Sequence, residues 1–262
     1  VPIGPDVAYL TGLVIGNGHL TSGKPRQKSV QLSVGNFNPE LLVPLVQRLD
    51  SPFFFTEKNR GNREIRLGVR VFGMMEALGI PRGAKAATVT IPAQIAKSPV
   101  QIRWAFLAGL VDSDGHWDPD RPRFRYVTAS EKLAHTLMAF LSTLGIRSRM
   151  TSQPPSGRGK LRCWTISVSS KSVEQMIHGM RDLTLFRKPP AYSAYPRGKA
   201  LNIFQTSRVP FDGFLYDLTT TTENYLAGKG ALTFIHNTHV AGTVAALTNN
   251  GVGVAGVAPL VR

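Results

Sequence analysis

Two glycine-bearing apolar runs constrain this chain more than anything else in it: Leu10-Thr11-Gly12-Leu13-Val14-Ile15-Gly16-Asn17-Gly18-His19 and Leu107-Ala108-Gly109-Leu110-Val111-Asp112-Ser113-Asp114-Gly115-His116. Each reads as a helix. In the second, Ala108, Gly109 and Ser113 leave one helical face with almost no side-chain bulk, so another backbone can approach it closely. That helix delivers Asp112 and Asp114 at its C-terminal end, where carboxylates face the negative end of the helix dipole. A helix that only packed would not need acids there, so a cation or another partner is expected to hold them. Two copies of one close-packing helix imply two similar halves that dock through those helices and bring both helix ends to one place.

The rest of the first half fits that scheme in the order helix, strand, strand, helix, strand, strand, helix. Val30, Leu32 and Val34 alternate with Ser29, Gln31 and Ser33, the pattern of a strand with one buried face. Asn38 is placed to cap a helix that has Pro39 in its first turn and Leu41, Leu42, Leu45, Val46 and Leu49 on its buried face, with Pro44 bending it. Phe53 to Thr56 and Glu64 to Val69 read as a hairpin, with Ile65, Leu67 and Val69 facing in and Arg66 facing out. A helix through Phe72, Met75 and Leu78 stops at Gly79 and Pro81.

The second half repeats the order. Arg123 and Arg125 alternate with Phe124 and Tyr126, Ser130 caps a helix carrying Leu133, Leu137, Phe140, Leu141 and Leu144, and Gly145 ends it. Arg147 and Arg149 alternate with Ile146 and Met150; Thr165 and Ser167 oppose Trp164, Ile166 and Val168; a last helix runs near Lys171 to Met180. Each half thus offers an outer sheet face of Arg, Gln, Ser and Thr, suited to phosphates and base edges in a DNA groove. Composition supports an anionic partner, since 31 Lys and Arg stand against 16 Asp and Glu, a net charge of +15. The single cysteine, Cys163, excludes an internal disulfide and reads as a small buried hydrophobe.

The paired glycine runs resemble the LAGLIDADG homing endonucleases. The resemblance implies an α+β fold of two pseudo-symmetric αββαββα halves that meet through the motif helices. It further implies that the residue before each final glycine, here Asp114 and Asn17, holds a divalent metal, Mg²⁺, at the scissile phosphates of double-stranded DNA. Asn17 departs from the acidic pattern, which implies an enzyme that nicks one strand or has lost cleavage. The family's catalytic lysines have no clear match; Lys24, Lys28 and Lys160 are weak stand-ins, expected with Arg66, Arg123, Arg125, Arg147 and Arg149 to contact DNA. A degenerate DNA-binding remnant and an RNA maturase on the same fold are the competing readings.

Composition changes near residue 185. Lys188-Pro189-Pro190 and Tyr195-Pro196-Arg197-Gly198 read as a linker, followed by short strands around Tyr216-Asp217-Leu218-Thr219 and Asn224-Tyr225-Leu226-Ala227, and then Phe234-Ile235-His236-Asn237-Thr238. This stretch resembles the C-terminal splicing blocks of an intein, the β-rich end of a Hint domain. The carboxamide nitrogen of Asn237 can attack its own carbonyl, His236 can donate a proton to the scissile peptide, and the Thr238 hydroxyl can receive an upstream chain. Glu223 stands where many inteins carry a histidine. Thr238-His239-Val240-Ala241-Gly242-Thr243 is similar to subtilisin-like serine proteases just beyond their catalytic histidine, so it reads as the start of a host protein with no protease activity of its own.

The resulting organisation is a first endonuclease repeat over 1–100, a second over 101–185, a linker and splicing segment over 186–237, and a host remnant over 238–262. The start at Val1 without Met reads as a cut from a larger precursor, with a separate N-terminal intein segment as the missing partner. No membrane span, a monomer and a cytoplasmic precursor are expected. If the arginine-bearing faces hold duplex DNA, log affinity should fall with log salt by about −0.9 per phosphate neutralised. A nearly flat dependence returns those arginines to solvated surface.

Overall fold

A computed structural model describes residues 3–21, 28–35, 37–57, 62–155, 161–194, 224–228 and 232–236. The chain divides into two compact units, 1–198 and 199–262. The first unit begins with α1 (Pro5–Asn17), β1 (Gly18–Leu20), β2 (Val30–Gly35), α2 (Val43–Arg48), β3 (Phe53–Glu57), β4 (Arg63–Leu67) and α3 (Val69–Ala77). A short α4 (Ala93–Ala96) precedes α5 (Val100–Asp114), β5 (Gly115–Trp117), β6 (Arg123–Thr128), α6 (Glu131–Thr143), β7 (Ser148–Gln153), β8 (Cys163–Ser169) and α7 (Lys171–Gly179). The two four-stranded sheets have matching antiparallel orders, β1-β2-β4-β3 and β5-β6-β8-β7, which is the internal repeat expected from the doubled motif.

The motif helices form the axis between the halves. Val7 to Ile15 of α1 and Ala105 to Ser113 of α5 are buried throughout, because both helices are apolar on nearly every side and the interior is the favourable place for them. Their glycines set the spacing. A methyl group at Gly109 would overlap the carbonyl of Tyr9, and one at Gly12 would overlap the backbone of Phe106 and Leu110. Gly18 and Gly115 carry ordinary extended backbone, so they are not needed for dihedral freedom. They are needed for space: a Cβ at Gly18 would stand 2.6 Å from Val14 Cα, and one at Gly115 would stand 2.8 Å from the Phe124 ring, where the chain leaves the helix and enters a strand at once.

The sequence periodicities hold in detail. β2 alternates buried and half-buried positions, and β6 exposes Arg123 and Arg125 while burying Phe124 and Tyr126. Ser130 accepts from the Leu133 amide at 3.1 Å, and Gly145 ends α6 at φ +76°. Other details differ. Val69 is 62% exposed and opens α3, because Gly68 has already left the strand by donating its amide to Pro52 O at 2.9 Å. Pro44 does not bend one helix; a 3-10 turn at Pro39–Leu42 hands over to α2, whose first turn tolerates the missing N–H. Cys163 is half-buried.

In the second unit the described residues form one antiparallel hairpin, β9 (Asn224–Ala227) and β10 (Thr233–His236). Among the described residues no helix is long and apolar enough to cross a membrane. The close helix contact yields a stability prediction. Gly109→Ala should lower unfolding free energy by about 3 kcal/mol or more, since two rigid backbones must separate. Gly73→Ala, on an exposed face of α3 with open space around it, should raise it by about 0.5–1 kcal/mol. Urea denaturation of both variants reads the contrast, and equal effects would mean that the helices do not touch as described.

Candidate nucleic-acid cleavage site

The C-terminal ends of α1 and α5 bring together the two acids of the second motif, and the structure gives those acids different tasks. Asp112 is 2% exposed and accepts three hydrogen bonds: from Tyr9 Oη at 2.6 Å, from the Leu185 amide at 2.5 Å and from the Arg187 amide at 2.6 Å. A carboxylate so fully occupied is a structural anchor. It ties the first half, through Tyr9, and the segment after α7 to the end of α5. Burial and the neighbouring Asp112 charge push the Tyr9 hydroxyl far above its ordinary range, so it stays a donor.

Asp114 is the acid left open. Its side chain opens to solvent at the junction of the helix ends, yet crowding by protein atoms there raises its pKa, opposed by the positive charges of Arg187 and Lys85. Asn17, expected as its partner, donates Nδ2 to Ser113 O at 3.0 Å across the helix pair. The substitution therefore has a structural use: an amide satisfies a carbonyl at the end of α5, which a carboxylate would repel.

Two cations complete the site, and sequence reading missed both. Lys85 is only 7% exposed and donates Nζ to Ile15 O at 2.5 Å and to Gly16 O at 3.1 Å, closing the open carbonyls of α1. Desolvation brings its pKa down to about 8, against the pull of Asp114. Arg187 donates Nη2 to Ser113 O at 2.9 Å and Nε to Asp112 O at 3.2 Å, and its guanidinium lies 5.3 Å over the Phe37 ring. Its carbonyl accepts from Trp117 Nε1 at 3.2 Å, and Tyr192 Oη donates to Asp118 O at 2.7 Å. The segment read as the start of a linker at residue 186 is thus held against the site. A lone lysine in a loop and an arginine beside two prolines carry no periodic signal, although the orphan carbonyls of a buried helix end called for donors.

The remaining expected residues divide. Arg66, Arg123, Arg125, Arg147 and Arg149 lie on the outer sides of the two sheets or at their edges, with Arg66 set 5.3 Å over Phe54. Lys28 is elsewhere, with Nζ 5.7 Å over the Phe72 ring of α3. Lys24, Lys160, Glu223, Asn237, Thr238 and the stretch 238–262 lie outside the described residues; His236 ends β10, paired with Asn224.

The donor set can be weighed against a divalent ion. Magnesium is commonly held by one or two carboxylates together with waters and substrate phosphates. Asp114 fits one such ion. A second ion would have only the Asn17 carboxamide, next to two protein cations, and among the described residues no group of three His, Cys, Asp or Glu is placed to hold a metal. Lys85 also makes stability depend on pH. Its folded value near 8 lies below the ordinary 10.5, so above pH 8 the unfolded chain binds the extra proton and stability rises with pH. Tyr9 opposes this above its ordinary 10.0. Chemical denaturation between pH 8 and 10 should show the rise, and Lys85→Met should flatten it; an unchanged slope in the variant would place the titration elsewhere.

Residues 101–188 match the family model of the LAGLIDADG-like domain. The chain is 25% identical over 274 residues to a DNA polymerase of Thermococcus hydrothermalis, a match covering 91% of this chain and 16% of the polymerase. It is 35% identical over 152 residues to a component of the A-type ATP synthase of Pyrococcus abyssi (strain GE5 / Orsay), covering 54% of this chain and 14% of that protein. The chain thus spans about a sixth or less of these relatives. Among solved structures, I-DmoI in complex with DNA and Mn superposes with a TM-score of 0.50 at 17% identity, covering 69% of this chain and 98% of that one. I-DmoI in complex with DNA and Ca gives 0.51 at 18% identity, covering 70% and 93%. Residues 101–188 thus match a LAGLIDADG-like domain, and the fold over 70% of the chain is similar to that of I-DmoI.

Proposed function

We propose that the chain is an intein-encoded, site-specific DNA endonuclease with a single charged metal ligand, joined to a C-terminal protein-splicing segment. One observation carries the cleavage reading: Asp114, alone among the acids at the helix junction, is left open while Asp112 is consumed by hydrogen bonds. A divalent ion such as Mg²⁺, when bound, supplies Lewis acidity and a more acidic water. Asp114 would be its anionic ligand. Lys85 and Arg187 hold positive charge beside that carboxylate, where a phosphodiester's developing charge would be stabilised. The +15 net charge and the outer-face arginines hold the duplex.

The intein reading draws on the relatives. DNA polymerase and ATP synthase are unrelated machines, and a protein of each matches this chain over a small fraction of its length. A mobile element inserted into different hosts accounts for that distribution. His236, Asn237 and Thr238 then carry Asn cyclisation and acyl transfer. The host here is read as a subtilisin-like protease from Thr238 onward, and the DNA target as the uninterrupted gene across the codons for Thr238-His239-Val240-Ala241-Gly242-Thr243.

A supercoiled plasmid bearing that joined target, with Mg²⁺, tests the cleavage. The unmodified chain should give relaxed circles in excess over linear product, and Asp114→Asn should give neither. Asn17→Asp should raise the linear fraction while costing about 1–2 kcal/mol of stability, because an anionic oxygen replaces the donor facing Ser113 O. Efficient linearisation by the unmodified chain would contradict the single-ligand account. For splicing, adding an N-terminal intein segment in trans should yield ligated product that Asn237→Ala abolishes; no ligation would leave Glu223 as the first suspect.

A further inference from the structure

The two sheets turn one side to their helices and the other outward, and strand register sets the outward side chains in rows. In the first half His19, Gln31, Arg66 and Phe54 stand side by side across β1, β2, β4 and β3. In the second, His116, Arg125, Ser167 and Arg149 form the matching row across β5, β6, β8 and β7, and Val127, Thr165 and Thr151 form its neighbour. Every residue of these rows is polar or charged except Phe54 and Val127, which are 51% and 49% exposed.

Neither residue belongs to the core. Phe54 is paired in register with Arg66 and through it with Gln31, and Val127 follows the buried Tyr126 along β6, so neither can change face without moving its strand out of register. Phe54 meets the Arg66 guanidinium, 5.3 Å from its ring centre, a contact that orients the ring within the row while leaving half of it in water. The company these residues keep is informative. In the major groove, arginine pairs with guanine, glutamine pairs with adenine, and an apolar side chain meets the C5-methyl of thymine. The first-half row carries all three types, and the second-half rows carry arginine and an apolar side chain, on a chain whose charge matches a polyanion.

We infer that Phe54 and Val127 are specificity-determining residues, each covering the C5-methyl group of one thymine in the major groove of its own half-site. The inference rests on the DNA reading above and deepens it by naming a base in each half-site and the atom that is read.

Uracil tests it without touching the protein. The full chain, in calcium buffer, is used to select a duplex from a randomised pool, and each thymine of that duplex is then replaced singly by uracil, which deletes one methyl group and no hydrogen bond. Fluorescence anisotropy should show one position in each half-site where uracil weakens binding about fourfold, the worth of one methyl-sized apolar group removed from water. Phe54→Ala should erase the response at one of these positions and Val127→Ala at the other, each leaving the remaining one intact. Binding that tolerates uracil at every position, or identical responses in both variants, overturns the inference while leaving DNA recognition standing. Failure to enrich any duplex overturns both.

Discussion

The backbone contact between α1 and α5 is the constraint from which the remaining structure follows. Gly12 and Gly109 let two helices approach until carbonyls stand where side chains would otherwise be. Helices so close cannot splay, and their C-terminal ends are therefore fixed beside one another. That convergence creates an electrostatic problem, because two negative dipole ends and their orphan carbonyls meet in a partly desolvated place. The donors found there answer it: Lys85 on Ile15 and Gly16, Asn17 and Arg187 on Ser113. Asp114 remains as the unbonded acid in a setting already supplied with cations.

The site is consequently asymmetric although the fold is not. Both halves share strand order and place a histidine immediately after the motif glycine. Their helix ends have diverged. The first offers an amide that serves as an internal donor, and the second offers a carboxylate open to solvent. The outer sheet faces have diverged too, toward glutamine and phenylalanine in the first half and toward arginine in the second. A pseudo-dimer within one chain permits this, since each half can change without imposing the change on the other.

Much of the fold was legible in the sequence because it rests on local periodicity. The alternation at Val30 to Val34 and Arg123 to Tyr126, the cap at Ser130 and the stops at Gly79 and Gly145 all report one residue's relation to its near neighbours. The three-residue strands β1 and β5 were counted in the αββαββα order but not located, because so short a run has no period, and Val69 was misplaced because its strand ends on a hydrogen bond to Pro52. Half of the candidate site was legible: Asp114 and Asn17 stand in motifs. The separation of Asp112 from Asp114 was not, because it depends on Tyr9 and on backbone amides at Leu185 and Arg187. Lys85 reaches the site from a loop seventy positions from its acceptor Ile15, a relation that no spacing rule expresses.

The central claim is that one helix end, not both, carries a charged ligand for a divalent ion. Anomalous diffraction from the chain bound to a duplex in manganese tests it most directly. The account predicts one strong peak at coordinating distance from an Asp114 carboxylate oxygen and none that has Asn17 as its protein ligand. Two peaks of equal height shared between Asp114 and Asn17, or a peak on Asp112 with its hydrogen bonds to Tyr9 and Arg187 broken, would contradict it.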